Sequence, residues 1–209
     1  MRSDSEFSRD LAQILPRGVQ LITGTLRVEG AGDNSRFFNS VVLLSNDGKI
    51  VGNYDKHALV PFGEFMPLRF LIPKSLTLPV GDKDFSEGIG TKTLNWPELP
   101  PVSILVCYEA IFPEFAVSGT NRPEWLLNVT NDAWFGMSSG PYQHFAMARM
   151  RAVEQGLPLI RVANTGITAY IDEYGRVKKK LALGEKAILD VPLWHSGVTG
   201  TIYTKYSLF

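Results

Sequence analysis

Short apolar runs bounded by Gly, Pro, Asn or Asp recur along the chain, and most of them have the length of a β-strand. Two further segments have helical spacing: Asp4–Leu15, whose Phe7, Leu11, Ile14 and Leu15 share one side, and Tyr142–Gln155, with an apolar stripe of Ala146, Met150 and Val153. The runs that predict strands are Val19–Val28, Phe37–Leu44, Ile50–Tyr54, Ser103–Val106, Trp125–Thr130, Leu159–Val162, Thr168–Ile171, Arg176–Lys180 and Ala187–Val191. Strands interrupted by helices in both halves predict an α/β layered domain.

The amino-acid composition excludes several classes of protein but does not indicate a function. A chain of 209 residues with 44% hydrophobic content can bury one core, so we expect a single domain over residues 1–209. The 21 basic and 21 acidic residues cancel, which gives no reason to expect a nucleic-acid partner. One cysteine excludes an internal disulfide and a cysteine-based zinc site. No run reaches the roughly 18 apolar residues of a spanning helix, and no signal-peptide core follows Met1, so the sequence by itself predicts a soluble globular chain.

The single cysteine, Cys107, stands where the apolar run Ser103–Val106 meets the polar residues Tyr108 and Glu109. A nucleophile at the end of a strand points out of the sheet edge, as in a strand-to-helix elbow. Free cysteine is also among the most buried residue types and often serves as a small hydrophobe. The local pattern therefore leaves catalysis and packing both open.

A second unusual segment carries Lys56 and Glu64, eight residues apart, in Tyr54-Asp55-Lys56-His57-Ala58-Leu59-Val60-Pro61-Phe62-Gly63-Glu64-Phe65. A cation near a thiol lowers the thiol pKa and can stabilise an oxyanion. The alternative is a surface lysine and a turn glutamate, since most charges are solvated. His57, His144 and His195 have no metal-ligand spacing, and a Cys–His dyad using one of them stays open.

Two polar loops follow apolar strands and suit the rim of a site. The first, Asn128-Val129-Thr130-Asn131-Asp132-Ala133-Trp134-Phe135-Gly136, is either such a rim or a turn capped by Asn131 or Asp132. The second, Asn164-Thr165-Gly166, is either a tight turn or a loop that feeds the site. The apolar stretch Phe65–Pro73 suits a lid that touches acyl chains or a membrane surface, or a loop packed on its own domain.

Taken in order, Y-D-K-H-A-L-V-P-F-G-E-F, V-C-Y-E, N-V-T-N-D-A-W-F-G, R-A-V-E-Q-G and A-N-T-G resemble the nitrilase (carbon–nitrogen hydrolase) superfamily. Within it, L-V-P-F-G-E and N-D-A-W-F-G are similar to the bacterial apolipoprotein N-acyltransferases. The resemblance implies an α-β-β-α sandwich and no cofactor or metal. It also implies a bacterial inner-membrane protein with this domain on the periplasmic side.

The resemblance assigns a role to each matching residue. Cys107 corresponds to the acylated nucleophile, Lys56 to the catalytic lysine and Glu64 to the supporting glutamate. Tyr108 and Glu109 support the nucleophile, and Asn131 and Trp134 are expected to bind substrate. The implied reaction moves a fatty acyl chain from a membrane phospholipid, through a Cys107 thioester, to the N-terminal amine of a diacylglyceryl-cysteine lipoprotein.

The family's general base is a glutamate in a W-P-E context on a strand that precedes the first helix. Trp96-Pro97-Glu98 follows Lys56 instead, and we interpret it as an ordinary strand entry. We therefore expect the base, and the membrane bundle of the family, to lie before Met1, and we expect these 209 residues alone to lack turnover. The alternatives are a soluble amide or nitrile hydrolase, and a non-catalytic nitrilase-like binding domain.

Overall fold

The computed structural model of the protein describes residues 7–69, 83–119, 121–193 and 196–206. The chain forms two compact units, Met1–Gly90 and Thr91–Phe209. The expectation of one domain over residues 1–209 stays a prediction.

The first unit is built on a three-stranded antiparallel sheet. Its elements are α1 (Phe7–Ile14), β1 (Leu21–Glu29), β2 (Arg36–Leu44) and β3 (Ile50–Asp55), and the strand order is β1-β2-β3. The central strand β2 is rich in Val, Leu and Phe, and its second half is fully buried. The three predicted strands are confirmed with ends that shift by one or two residues.

The predicted helix over Asp4–Leu15 is observed as Phe7–Ile14, and residues 4–6 lie outside the described residues. Ile14 is 77% exposed, so the expected apolar side does not bury that residue. Of the expected lid, only residues 65–69 are described. Met66 is buried and Leu68 is exposed, so this part contains both a packed and a solvent-facing apolar residue.

The second unit contains a five-stranded mixed sheet in the order β4-β5-β6-β7-β8. Its elements are β4 (Val102–Val106), β5 (Trp125–Asn131), α2 (Gly140–Gln155), β6 (Leu159–Asn164), β7 (Thr168–Ile171), β8 (Val177–Leu181) and α3 (Ile202–Tyr206). Strands β4, β5 and β6 are parallel, whereas β7 and β8 pair antiparallel. The carboxyl ends of parallel strands meet at one sheet edge, so the residues that follow β4, β5 and β6 gather there.

One face of this sheet packs against α2 through a cluster of fully or nearly fully buried apolar side chains. Complete burial of a side chain such as Leu126 or Ile171 contributes about 1.5–3 kcal/mol. The members of the cluster are Leu126, Ala152, Leu157, Leu159, Ala169 and Ile171.

The buried face of α2 differs from the predicted one. Ala146, Met150 and Val153 are exposed, with 50% of Met150 and 41% of Val153 accessible to solvent. The buried residues are instead Pro141, His144, Ala148, Arg151, Ala152 and Gln155. The apolar pattern did not predict the buried face, because polar side chains such as His144 and Arg151 are buried there and make hydrogen bonds inside the protein.

The helix α2 begins two residues earlier than predicted, with Pro141 in its first turn, where the missing N–H of proline is not needed. It ends at Gly156, whose φ of +61° closes the helix in the left-handed conformation.

The predicted strand Ala187–Val191 is wrong: this segment is irregular in the structure. Ile188 is 88% exposed, so its apolar character does not reflect burial in the sheet. Among the described residues, the sheet ends at β8. No helix in the described part of the chain is long and apolar enough to cross a bilayer.

Candidate active site

Cys107 lies at a sharp turn at the carboxyl end of β4. It is the first residue of a 3₁₀ turn, Cys107–Ile111, and its φ is +49°. A non-glycine residue in this left-handed region costs on the order of 1–3 kcal/mol and persists only where the surroundings enforce it. The predicted elbow is therefore confirmed. A cysteine that served only as a small buried hydrophobe would not need this left-handed backbone conformation.

The two residues after Cys107 hold this turn in place. Glu109 is fully buried, and its Oε2 accepts the Val106 N–H at 2.7 Å. The Tyr108 ring meets the Phe112 ring edge-on, with centroids 5.0 Å apart. Both contacts fix the chain on either side of the thiol.

A buried histidine contacts the peptide group of Cys107. His144 Nε2 lies 3.0 Å from the carbonyl oxygen of Cys107, and His144 Nδ1 lies 2.9 Å from Asp132 Oδ1. The described contact is therefore with the main chain of Cys107, which differs from the Cys–His dyad considered from sequence. His57 bonds Gly88 O in the first unit, and His195 lies outside the described residues.

Asp132 extends this contact into a network that returns to β4. Its Oδ2 accepts Arg161 Nη2 at 2.6 Å, and Arg161 Nη1 donates to Asn128 Oδ1. Asn128 Nδ2 then donates to Leu105 O at 2.8 Å. The network thus ends on two main-chain carbonyls of one short segment, those of Leu105 and Cys107.

The electrostatics of this network keep Asp132 ionised. Burial raises the pKa of Asp132, but the hydrogen bond from His144 and the charge of Arg161 outweigh burial and hold the pKa below its ordinary value of 3.8. Burial lowers the pKa of Arg161, against the opposing charges of Asp132 and of a Cys107 thiolate. Asp132 therefore serves as the counter-ion of a fully buried guanidinium.

Gly166 permits this arrangement because it has no side chain. A Cβ at Gly166 would lie 2.2 Å from Asp132 Oδ2, which is shorter than any allowed distance between these two atoms. The preceding Thr165 has a φ of +58°. Of the two readings of Asn164-Thr165-Gly166, the structure shows a tight turn that closes onto the network.

In the first unit, Lys56 and Glu64 form a buried ion pair. Lys56 Nζ lies 2.5 Å from Glu64 Oε2, with the lysine side chain 1% exposed and the glutamate 13% exposed. The turn that follows Val60 folds the Glu64 carboxylate back, so that it also accepts the Val60 N–H at 2.8 Å and Asn39 Nδ2 at 2.8 Å. The surface-charge alternative is therefore wrong for this lysine.

The backbone of Lys56 is fixed as firmly as its ammonium group. Its N–H donates to Asn39 O at 2.8 Å, and its carbonyl accepts the Gly88 N–H at 2.9 Å. Gly88 passes so close to β3 that a Cβ there would lie 2.1 Å from Asp55 O. These contacts hold the lysine in one orientation.

Asn131 is the last residue of β5 and Trp134 lies in the turn that follows, at the same sheet edge as Cys107. Asn131 Oδ1 accepts the Ala133 N–H at 3.1 Å and Asn164 Nδ2 at 3.2 Å, so Asn131 caps its turn as the alternative reading proposed. Trp134 is 85% exposed. Their role in substrate binding stays a prediction.

Sequence reasoning missed the importance of Asn128, His144 and Arg161. The signal that could have found two of them is a polar side chain inside an apolar strand, since Asn128 interrupts β5 and Arg161 interrupts β6. Within the described ranges, no group of three or more His, Cys, Asp or Glu side chains is arranged to hold a metal ion.

Comparison with known proteins identifies the family of this chain. The carbon-nitrogen hydrolase family profile matches residues 4–203. The chain is 46% identical to the apolipoprotein N-acyltransferase of Rhodopseudomonas palustris over 97% of its own length, and 43% identical to that of Bradyrhizobium diazoefficiens over the same share. It is 41% identical to the Rickettsia prowazekii enzyme of that name over 85% of its length. The chain spans between 36% and 38% of the length of these relatives.

Solved structures share the fold at low sequence identity. A carbon-nitrogen hydrolase from Helicobacter pylori superposes with a TM-score of 0.59 at 20% identity, over 86% of this chain and 62% of that one. A Saccharomyces cerevisiae member of branch 10 of the nitrilase superfamily gives 0.58 at 16% identity, over 86% and 62%. The α/β nitrilase-like fold and the resemblance to apolipoprotein N-acyltransferases are thereby confirmed, and the chain belongs to the carbon-nitrogen hydrolase family.

Proposed function

We propose that this chain is the carbon-nitrogen hydrolase part of a bacterial apolipoprotein N-acyltransferase. The observation that carries the proposal is the strained left-handed backbone of Cys107 at the carboxyl end of a parallel strand. Strain of this kind concentrates at functional positions. The relatives that align over most of the chain carry the name of this enzyme.

The chemistry is a two-step acyl transfer. The Cys107 thiolate attacks the carbonyl carbon of a phospholipid ester, the C–O bond breaks, and the leaving alkoxide takes up a proton to become a lysophospholipid as the thioester forms. The free α-amine of a diacylglyceryl-cysteine lipoprotein then attacks the thioester and loses a proton, which balances the one taken up in the first step; the C–S bond breaks, giving an amide and regenerating the thiolate. Covalent catalysis divides one difficult exchange into two easier steps.

Lys56 is proposed to donate to the oxyanion of each tetrahedral intermediate. A donor in this role is worth about 3 kcal/mol, or roughly a hundredfold in rate. Its burial and its ion pair with Glu64 support the proposal, because a fixed ammonium needs no reorganisation when charge develops. Glu64 is the residue that orients it, and Tyr108 and Glu109 hold the elbow.

The substrates set where the reaction takes place. A phospholipid donor and a lipoprotein acceptor both reside in a membrane, so we propose the bacterial inner membrane, with this part on the periplasmic side. The exposed Trp134, together with Asn131, is proposed to contact the acyl substrate at the membrane surface.

A chimeric enzyme tests the proposal. The segment of the Rhodopseudomonas palustris relative that aligns with this chain is replaced by these 209 residues, and the chimera is supplied with phosphatidylethanolamine vesicles and a diacylglyceryl lipopeptide. We expect the lipopeptide to gain one acyl chain by mass spectrometry. We also expect a hydroxylamine-sensitive acyl adduct on Cys107, and neither product from the Cys107→Ser chimera.

The alternatives give different results in the same experiment. A chimera that accumulates in membranes and is alkylated at Cys107, yet forms neither product, contradicts the proposal. Release of ammonia from short amides without acyl transfer would instead assign a hydrolase, with water as the second acceptor.

A further inference from the structure

Both ring nitrogens of His144 face oxygen acceptors. Nε2 lies 3.0 Å from the carbonyl oxygen of Cys107, and Nδ1 lies 2.9 Å from Asp132 Oδ1. A carbonyl oxygen has no hydrogen to give, and the Asp132 carboxylate is ionised. A hydrogen on each nitrogen satisfies both oxygens, and an imidazole with two N–H groups carries a positive charge.

The neighbouring guanidinium is compatible with this assignment. Arg161 Nη2 lies 3.3 Å from His144 Nδ1, so two donors stand side by side. Each donates to its own oxygen of the Asp132 carboxylate, Oδ2 for Arg161 and Oδ1 for His144. The carboxylate thus anchors two cations in a site where His144, Asp132 and Arg161 are at most 5% exposed.

The remaining charged and aromatic groups near His144 lie on the Cys107 turn, on the turn after β5, on α2 and on β6. The turn that carries Cys107 also holds Glu109, whose carboxylate accepts the Val106 N–H. The 3₁₀ turn Asp132–Phe135 adds the Phe135 ring, edge-on at 5.9 Å. On α2 itself, the pair Arg151–Glu154 lies two to three turns further along the helix, and β6 contributes only Arg161.

We propose that His144 is a positioning residue for the nucleophile, an imidazolium anchored on Asp132 that binds the carbonyl of Cys107 and so fixes the elbow. The inference rests on the proposed role of Cys107 as nucleophile. His144 lies on α2, so this helix positions a charged hydrogen-bond donor against Cys107, the residue of the elbow with the strained backbone.

Two physical effects follow from this contact. A charge-assisted hydrogen bond is of the same order as the cost of a left-handed non-glycine residue, so it can offset that strain. A positive charge beside a cysteine favours its thiolate, which is the nucleophilic form. His144 is not a general base here, since neither nitrogen has a free lone pair to receive the thiol proton.

Alkylation of the 209-residue chain tests the proposal without requiring acyl transfer. Cys107 is the only cysteine, so the rate of thiol loss with iodoacetamide reports this residue alone. The rate is measured from pH 6 to pH 10 in the wild type and in His144→Gln, whose amide supplies a neutral donor. The matched control is Arg149→Gln, which removes another α2 side chain bonded to a main-chain carbonyl, that of Gly175 at 3.0 Å.

We expect alkylation of His144→Gln at pH 7 to be slower by about tenfold, with its rate rising at higher pH than in the wild type, whereas Arg149→Gln overlays the wild type. We also expect ¹⁵N spectra of the unmutated chain to show hydrogen on both ring nitrogens of His144 at pH 7. The ¹⁵N measurement uses the unmutated chain, so it tests the charge on His144 even if the His144→Gln variant folds poorly.

The outcomes separate the two proposals. Overlapping alkylation profiles for folded His144→Gln and the wild type, or a ring nitrogen without hydrogen at pH 7, overturn the role of His144. A wild-type thiol that reacts no faster than cysteine in a short peptide counts against Cys107 as the nucleophile and hence against the proposed function. The ¹⁵N spectrum then still decides the charge on His144.

Discussion

The substitution Asp132→Asn tests the energetic importance of the buried network in the second unit. The amide keeps the shape of the carboxylate but removes the counter-ion of Arg161, whose side chain is fully buried. It also turns one acceptor into a donor that faces Arg161 or His144. Removing one partner of a buried ion pair costs about 3–5 kcal/mol, because the other charge stays buried without compensation.

Urea denaturation measures this loss. With a slope of about 2 kcal/mol per molar urea, the midpoint of Asp132→Asn should fall by about 1.5–2.5 M, a large share of the roughly 5–15 kcal/mol that typical proteins possess. The matched control is Asp84→Asn, since Asp84 also pairs with an arginine but both side chains are about 30% exposed. A pair of this exposure contributes about 0–1 kcal/mol.

A double variant shows whether the uncompensated charge is the cause. Combining Asp132→Asn with Arg161→Met removes the carboxylate and the guanidinium, so the uncompensated charge of Arg161 is gone and the double variant should lose less stability than Asp132→Asn alone. The reasoning is refuted if Asp132→Asn and Asp84→Asn shift the midpoint equally, or if the double variant is the less stable one.

Four further outcomes follow from contacts in the structure. Glu64→Gln should cost about 3 kcal/mol in urea unfolding, because it leaves the buried Lys56 ammonium without a counter-ion; an equal loss in an exposed variant, Glu98→Gln, would contradict this. Cys107→Gly should be more stable than Cys107→Ala by about 1 kcal/mol in thermal melts, since glycine tolerates the φ of +49°; the opposite order would show that the residue is unstrained. Because the folded pKa of Asp132 is depressed, its contribution is present above pH 4 and is lost as the pH falls below about 3.8, so the stability gap between wild type and Asp132→Asn should narrow there; a constant gap in acid titrations would refute the ionised state. Gly166→Ala should slow Cys107 alkylation and lower the melting temperature, because its Cβ would displace Asp132; unchanged values for both would show that the loop gives way freely.

The motifs of the candidate active site were predictable because each has a local physical signature. Cys107 follows an apolar strand and precedes polar residues, and the structure has an elbow at that point. The turn after Val60 carries the proline and glycine that fold Glu64 back toward Lys56. In both places, residues within ten positions of one another predict the turn, whereas Asn39, Gly88 and His144, which contact these turns, are distant in the sequence.

The predictions from sequence were wrong where the burial of a residue depends on contacts with residues distant in the sequence. The apolar residues of α2 predicted its buried face, yet Met150 and Val153 are exposed while His144 and Arg151 are buried. The apolar segment Ala187–Val191 predicted a strand, but among the described residues none of the sheet strands pairs with it. Hydrophobic periodicity reports burial only where apolar packing decides which face turns inward.

The sequence by itself determined the strands β1 to β8, the helices α1 and α2, the elbow at Cys107 and the resemblance to the carbon-nitrogen hydrolase family, since these depend on local patterns and short motifs. Only the tertiary structure decided that Asn128, Asp132, His144 and Arg161 form one network around that elbow. These residues come from β5, the turn after it, α2 and β6, and no spacing along the chain relates them. The network requires the parallel pairing of β4, β5 and β6, which brings the strand ends to one edge and places Asp132 beside both Arg161 and His144.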